Sequence, residues 1–85
     1  MDGTEAYILK TILRTLQAVG GIGMTKNALM DQLDLAAGMP LTTSQREDAW
    51  ALLVGRRYIN SHIEPVINQT RWCITEKGAD VMEAL

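Results

Sequence analysis

The segment from residue 44 to residue 75 most constrains what this 85-residue chain can fold into. It begins with a helix predicted over residues 45–57, about four turns long, for which Ser44 is the N-cap and Glu47 completes a capping box. Two short strands are predicted after it, over 58–63 and 71–75, and a turn around 64–69 joins them as a hairpin. This order of helix, strand, turn and strand predicts an α+β fold.

Three further helices are predicted around this segment, over residues 3–19, 26–37 and 76–85. The first has apolar side chains at helical spacing, at Leu9, Ile12, Leu13 and Leu16. Thr25 and Thr75 are the predicted N-caps of the second and the last helix, and Gly38 followed by Pro40 ends the second. The single domain predicted over residues 1–85 is therefore mostly helical.

The third helix, residues 45–57, is apolar on nearly every side. With Leu53 at the centre of its buried face and 100° per residue, Ala49 and Trp50 also point inward. The opposite face is small and polar, and it carries Ser44, Asp48, Ala51 and Gly55. Glu47, Leu52 and Val54 flank this second face.

Composition excludes several classes of function. A chain of this length needs most of its 47% apolar residues for one small core, which leaves no room for a deep substrate cleft. The net charge of −2 and the pI of about 5.2 differ from the basic balance usual for nucleic-acid-binding domains. With one cysteine, no basic leader and no long apolar run, a soluble cytoplasmic protein without membrane contact is expected.

Residues that carry chemistry are few. One histidine, His62, and one cysteine, Cys73, do not make a supported catalytic dyad, and no metal-ligand spacing is present. The glycines between 20 and 23 lack a following Lys-Ser/Thr, so they predict a helix stop and a connector or very short strand, and no phosphate-binding loop. We therefore expect no enzyme, no catalytic residues, no metal and no cofactor.

The end of the chain carries a resemblance to a known family. Tyr58-Ile59 leaves the third helix, a turn follows, and Trp72-Cys73-Ile74-Thr75-Glu76-Lys77-Gly78 leads into the last helix. This arrangement resembles the winged helix-turn-helix domain, and in size and order the small winged-helix proteins of bacteria and bacteriophages. The resemblance implies a three-helix core, a two- to three-stranded β wing and a C-terminal helix.

The resemblance also implies a function, that of a small DNA-binding transcriptional regulator that is encoded by a phage or prophage and forms a homodimer. Such proteins place the start of the third helix in the major groove of double-stranded DNA. The family's base-reading positions fall here on Ser44, Gln45, Glu47, Asp48 and Ala51. The DNA-binding hypothesis places Gln45 and Arg46 near the bases. The cations expected at phosphates are Lys26, Arg56, Arg57 and Arg71. Glu47 and Asp48, however, add negative charge beside the DNA backbone.

A second hypothesis comes from the apolar residues of the same region. The turn between the strands has Val66 and Ile67 where winged-helix proteins usually carry Lys or Arg, and these two either stay exposed or fold back on the core. In this second hypothesis the chain is a protein-interaction module that binds a partner protein or a second copy without DNA. The residues predicted for that contact are Asp48, Ala51, Leu52, Gly55, Val66 and Ile67.

Overall fold

The computed structural model of the chain describes residues 3–38 and 41–85, and the side chains of all of these except residues 3, 4 and 37. Four helices and one hairpin follow one another along the chain. Their bounds are α1 Gly3–Val19, α2 Lys26–Ala37, α3 Thr43–Gly55, β1 Ile59–Glu64, β2 Gln69–Ile74 and α4 Glu76–Ala84, with a 3-10 turn, Gly20–Ile22, after α1. The structure is thus mostly helical α+β, as predicted.

The core is built around α1, which contacts α2, α3 and α4. Its apolar stripe is buried, since Ile8, Leu9, Ile12, Leu13 and Leu16 are all at most 2% exposed. The other helices and the hairpin add Leu29, Leu33, Ala49, Trp50, Leu53 and Ile59. The inward face predicted for α3 is therefore confirmed.

The predicted start of α3 is wrong by two residues. Thr42 is the N-cap, and the capping box joins it to Gln45: Gln45 N–H donates to Thr42 Oγ1 at 3.1 Å, and Thr42 N–H donates to Gln45 Oε1 at 2.9 Å. The sequence contains two capping-box patterns, Thr42 with Gln45 and Ser44 with Glu47. The first one forms, so Ser44 lies inside the helix and Glu47 is free for another contact.

The predicted end of α3 is also wrong by two residues. Tyr58 N–H donates to Leu53 O at 3.0 Å and Arg57 N–H to Val54 O at 3.1 Å. These two bonds form a Schellman motif, which requires a left-handed residue after the C-cap. That residue is Arg57, with φ +61°. The helix therefore ends at Gly55, and the chain turns directly into β1.

The sheet contains the two antiparallel strands of the hairpin, paired from Ile59–Ile74 to Glu64–Gln69 around a four-residue turn. Met24 forms an isolated antiparallel bridge with Trp72 on the other side of β2, which confirms a very short extended connector here. The Trp72 ring meets the edge of Trp50 at a centroid distance of 4.9 Å and an angle of 81°. This contact joins the sheet to α3.

The ends of the other helices follow the predicted caps. Thr25 accepts from Ala28 N–H at 3.2 Å, and Thr75 accepts from Gly78 N–H at 3.0 Å. Gly38 ends α2 in the left-handed region, with φ +69°, whereas Pro40 lies outside the described residues. Ala79 and Met82 of α4 are half-buried against the core, and the fully buried residue of this helix is Gly78.

Gly78 generates a first prediction. A Cβ added at Gly78 would meet the carbonyl of Tyr58 and the side chain of Ile74, whereas a Cβ at Gly55 meets nothing within 4 Å. Gly78→Ala should therefore lower the free energy of unfolding by about 1–3 kcal/mol through overpacking. Gly55→Ala, the matched control, should leave it unchanged or raise it by up to about 1 kcal/mol. Urea denaturation of both variants measures this, and equal effects would contradict the close approach of α4 to Tyr58.

Candidate nucleic-acid interface

The exposed face of α3 is small and polar. Ser44, Asp48, Ala51 and Gly55 are all exposed along it. Three of the four have little or no side chain, so another surface can come close to the helix here. Asp48 places one negative charge in the middle of this face.

Gln45, predicted near the bases, takes part in the cap of its own helix. Its Oε1 accepts from Thr42 N–H, which fixes the amide against the first turn of α3. The amide NH2 remains as a donor beside exposed Ser44. Ser44 and Gln45 are thus neighbours in the first turn of α3, and their place near DNA bases stays a prediction.

Lys26 forms contacts inside the molecule. Its Nζ lies 3.4 Å from Glu47 Oε1, an ion pair between the starts of α2 and α3. The same ammonium lies 5.3 Å from the ring centroid of Trp50, within the range of a cation–π contact. Lys26 therefore neutralises one of the two acids on α3, and its own charge is shared with that acid.

Arg46 is turned towards α2. Its Nη2 lies 2.9 Å from Asp34 Oδ1, and both side chains are about two-thirds buried. No aligned hydrogen bond accompanies this ion pair, and Arg46 Nε is buried without an acceptor. The pair holds α2 against α3, so the guanidinium of Arg46 points along the helix junction.

Arg56 and Arg57 behave differently. Both are exposed at the C-terminal end of α3, and neither forms an ion pair with any described residue. They point to different sides of the helix end: Arg56 borders a small apolar pocket with Leu52 and Tyr58, and Arg57 borders a groove beside β1. Two positive charges are therefore available to an external anion.

Arg71 lies on the hairpin, opposite His62. Its Nη1 donates to Gly23 O at 3.4 Å, so the side chain is half-buried and spans from β2 to the connector before α2. Part of the guanidinium remains accessible. The structure therefore separates the predicted cations into two that are paired internally, Lys26 and Arg46, and three with free charge.

The tip of the hairpin is apolar and exposed. Val66 is 87% exposed and Ile67 57% exposed. These two side chains therefore stay in solvent and do not fold back on the core. Two further isoleucines, Ile22 at 71% and Ile63 at 62%, are also exposed. The sequence alone did not single out these two residues, of which Ile22 lies in the 3-10 turn and Ile63 near the end of β1.

His62 and Cys73 are neighbours on the outer face of the hairpin. Cys73 Sγ lies 3.7 Å from His62 Nδ1 and 3.5 Å from Gly21 O. Within residues 3–38 and 41–85, no group of three or more His, Cys, Asp or Glu side chains is placed to hold a metal ion. Through Cys73, this pair joins the hairpin to the 3-10 turn.

Comparison with solved structures shows a shared fold. The chain is similar to F-93 of SSV1, a viral protein with a crystal structure, at a TM-score of 0.67 and 20% sequence identity. The similarity covers 99% of this chain and 82% of that one. No family model matches the sequence, and no curated protein matches it. Among the described helices, none is long and apolar enough to cross a membrane.

Arg57 generates a second prediction, because a non-glycine residue in the left-handed region costs about 1–2 kcal/mol. Arg57→Gly should raise the free energy of unfolding by about 1 kcal/mol. The adjacent Arg56, with φ −88°, serves as the control, since Arg56→Gly relieves no strain and should be neutral or destabilising. Chemical denaturation compares the two, and a stabilising effect at Arg56 alone would contradict the assignment of the Schellman motif.

Proposed function

We propose that this protein is a winged-helix DNA-binding regulator of the small type found in phages and other viruses. In this proposal α3 enters the major groove and the β1–β2 hairpin is the wing. The similarity of the fold to a viral protein at TM-score 0.67 supports the architecture. The DNA-binding role is our inference from the surface of α3 and the cations around it.

The observation that carries the proposal is the conformation of Arg57. Glycine is the residue that suits a left-handed position after a helix, and the chain has arginine there. Backbone strain of this kind points to a function for the side chain that causes it. The exposed guanidinium of Arg57 is a suitable donor for phosphate oxygens, and Arg56 adds a second free positive charge on the other side of the helix end.

The division of the cations refines the proposed contacts. Arg56, Arg57 and Arg71 have free charge and are assigned to phosphates. Ser44 and the amide NH2 of Gln45 lie at the exposed helix start, where side chains reach base edges. Lys26 acts through Glu47, whose charge it neutralises, and Arg46 through Asp34, which holds α3 in place.

The third prediction tests this assignment by salt dependence. Arg57→Gly should weaken binding to random-sequence duplex DNA and reduce the slope of log K against log salt by about 0.9, the value for one phosphate contact. Since this substitution relieves strain, loss of folding cannot explain loss of binding. Fluorescence anisotropy at several salt concentrations measures the slope.

The control for this experiment is Arg14→Ala, which removes the same charge from an exposed position on α1. It should change the slope less than Arg57→Gly does. Wild-type protein that does not bind duplex DNA at low salt would overturn the DNA proposal. Equal effects of the two variants would overturn the assignment of Arg57 to a phosphate.

A fourth prediction concerns Asp48, the acid at the centre of the exposed α3 face. If this face approaches DNA, Asp48→Asn should strengthen binding several-fold, because it removes repulsion from the phosphate backbone. Glu76→Gln, an exposed acid at the start of α4, is the matched control and should have little effect. Equal gains would show that only net charge matters.

A second candidate function rests on the exposed tip of the hairpin. Val66 and Ile67 expose apolar surface where phosphate-binding wings carry cations, and exposed apolar patches mark protein contacts. In this reading, the tip and the small face of α3, with Asp48, Ala51, Leu52 and Gly55, bind a partner protein. Leu52 is half-buried beside Arg56, so it would add the edge of a pocket. DNA binding that persists in Val66→Asp would favour the first proposal over this one.

A further inference from the structure

Strand β1 lies at an open edge of the sheet. The order across the sheet is β1, then β2, then the single bridge residue Met24. One side of β1 therefore pairs with β2. On its other side, the described residues provide no strand partner.

The hydrogen bonds of Trp72 show which groups face this edge. Trp72 N–H donates to Met24 O at 2.7 Å, and Met24 N–H donates to Trp72 O at 2.9 Å. Both backbone groups of Trp72 thus point away from β1, so Ser61, its partner in register, forms no backbone hydrogen bond with it. Hydrogen-bonded and non-hydrogen-bonded pairs alternate along an antiparallel ladder, so Ile59 and Ile63 also form no backbone hydrogen bonds with β2. The N–H and C=O groups of Ile59, Ser61 and Ile63 therefore point to the open edge.

The side chains of the same three residues share one face of the strand. Ile59 is buried in the core, and Ile63 projects beyond the core into solvent. Beside Ile59 runs an open groove of about 520 Å³, in which Val54 and Trp72 supply the other apolar side chains and Arg57, Asn60 and Thr75 supply polar ones. An exposed isoleucine, Ile63, and a groove with apolar walls at Val54, Ile59 and Trp72 thus lie four residues apart along one strand.

We propose that two copies of this protein associate through β1, paired antiparallel with the two Ser61 residues opposite each other on a two-fold axis. Each residue whose N–H and C=O groups point to the open edge then lies opposite such a residue in the partner. These groups can therefore form backbone hydrogen bonds between the two copies. The register places Ile63 opposite the partner's Ile59, next to the partner's groove. Because Ile59 and Ile63 are equally distant from Ser61, one register fills both grooves.

Charge on the other face of the strand favours a second copy over an unrelated strand. The same register puts Glu64 opposite the partner's Tyr58. The ammonium of Lys77 lies 5.6 Å from the ring centroid of Tyr58, and only Oε1 of Glu64 is used by the turn, as acceptor from Val66 N–H at 3.0 Å. Glu64 Oε2 and Lys77 of opposite copies are thereby brought together. Asn60 faces the partner's His62, a pairing of two polar side chains.

This association goes beyond the DNA-binding proposal and has its own test. In sedimentation velocity at micromolar concentrations, the wild-type protein should have twice the mass of one chain. Ile63→Lys should return it to the mass of one chain, because it would place a positive charge next to the partner's Ile59, in a groove that already carries the guanidinium of Arg57. Ile67→Lys is the control, since this exposed isoleucine lies in the turn beyond the paired strand, and it should leave the dimer intact.

Cross-linking tests the register. In a hydrogen-bonded antiparallel pair, such as the two Ser61 residues would form, opposite Cα atoms are about 5.5 Å apart. A disulfide can span this distance. With Cys73→Ser as background, Ser61→Cys should form a covalent dimer under mild oxidation. His62→Cys in the same background should not, because each copy of residue 62 lies opposite residue 60 of the other.

Each result decides the proposal. Wild-type protein with the mass of one chain at every concentration would overturn it, as would a dimer that Ile63→Lys leaves intact. A dimer lost equally in Ile67→Lys would place the contact at the turn. Efficient cross-linking through residue 62 would overturn the register centred on Ser61. Unchanged far-UV circular dichroism of the variants excludes unfolding as the cause.

Discussion

The backbone N–H and C=O groups of Tyr58 join the three parts of the molecule that follow α2, namely α3, the hairpin and α4. Its N–H ends α3 by bonding to Leu53 O, and its carbonyl accepts from both the N–H and the hydroxyl of Thr75. That carbonyl also contacts Gly78, the only residue type that fits there. The direction of the hairpin and the position of α4 are therefore fixed at one point of the backbone, directly after the strained Arg57. A chain of this size buries a small hydrophobic core. The backbone contacts of Tyr58 therefore add rigidity that the packing of buried side chains alone would not provide.

The sequence predicted α1 and α2 with their observed bounds, because glycine stops and a threonine cap are strong local signals. It misplaced α3 at both ends. Two capping boxes compete at residues 42–47, and nothing local shows that Glu47 pairs with Lys26 of another helix. At the other end, Arg57 gives no sign in the sequence that it takes a conformation suited to glycine. The missed features thus depend on contacts between elements distant along the chain, which local propensity does not encode.

The candidate site shows the same division. That Ser44, Asp48, Ala51 and Gly55 share an exposed face follows from helical periodicity alone. Which cations are free does not, because Arg46 could be assigned to Asp34 only once α2 and α3 were placed. Pairing leaves the start of α3 near neutral apart from Asp48 and leaves free positive charge at its other end and on β2. A surface of this kind attracts an anion at its edges more than at its centre.

The open edge of β1 is unusual in what it lacks. Soluble proteins protect edge strands with lysine, proline, a bulge or a covering loop. β1 has none of the first three between Ile59 and Glu64, and the nearest proline, Pro65, comes only in the turn. Ile59 and Ile63 are the first and last of the three residues whose backbone groups point to the open edge. Such an edge would promote unspecific association unless one pairing register were much more stable than the others. The pairing centred on Ser61 provides such a register, because only there do both isoleucines find apolar partners and both glutamates a lysine. A self-complementary edge of this kind limits association to two copies, since each β1 has one free side and the pair leaves none.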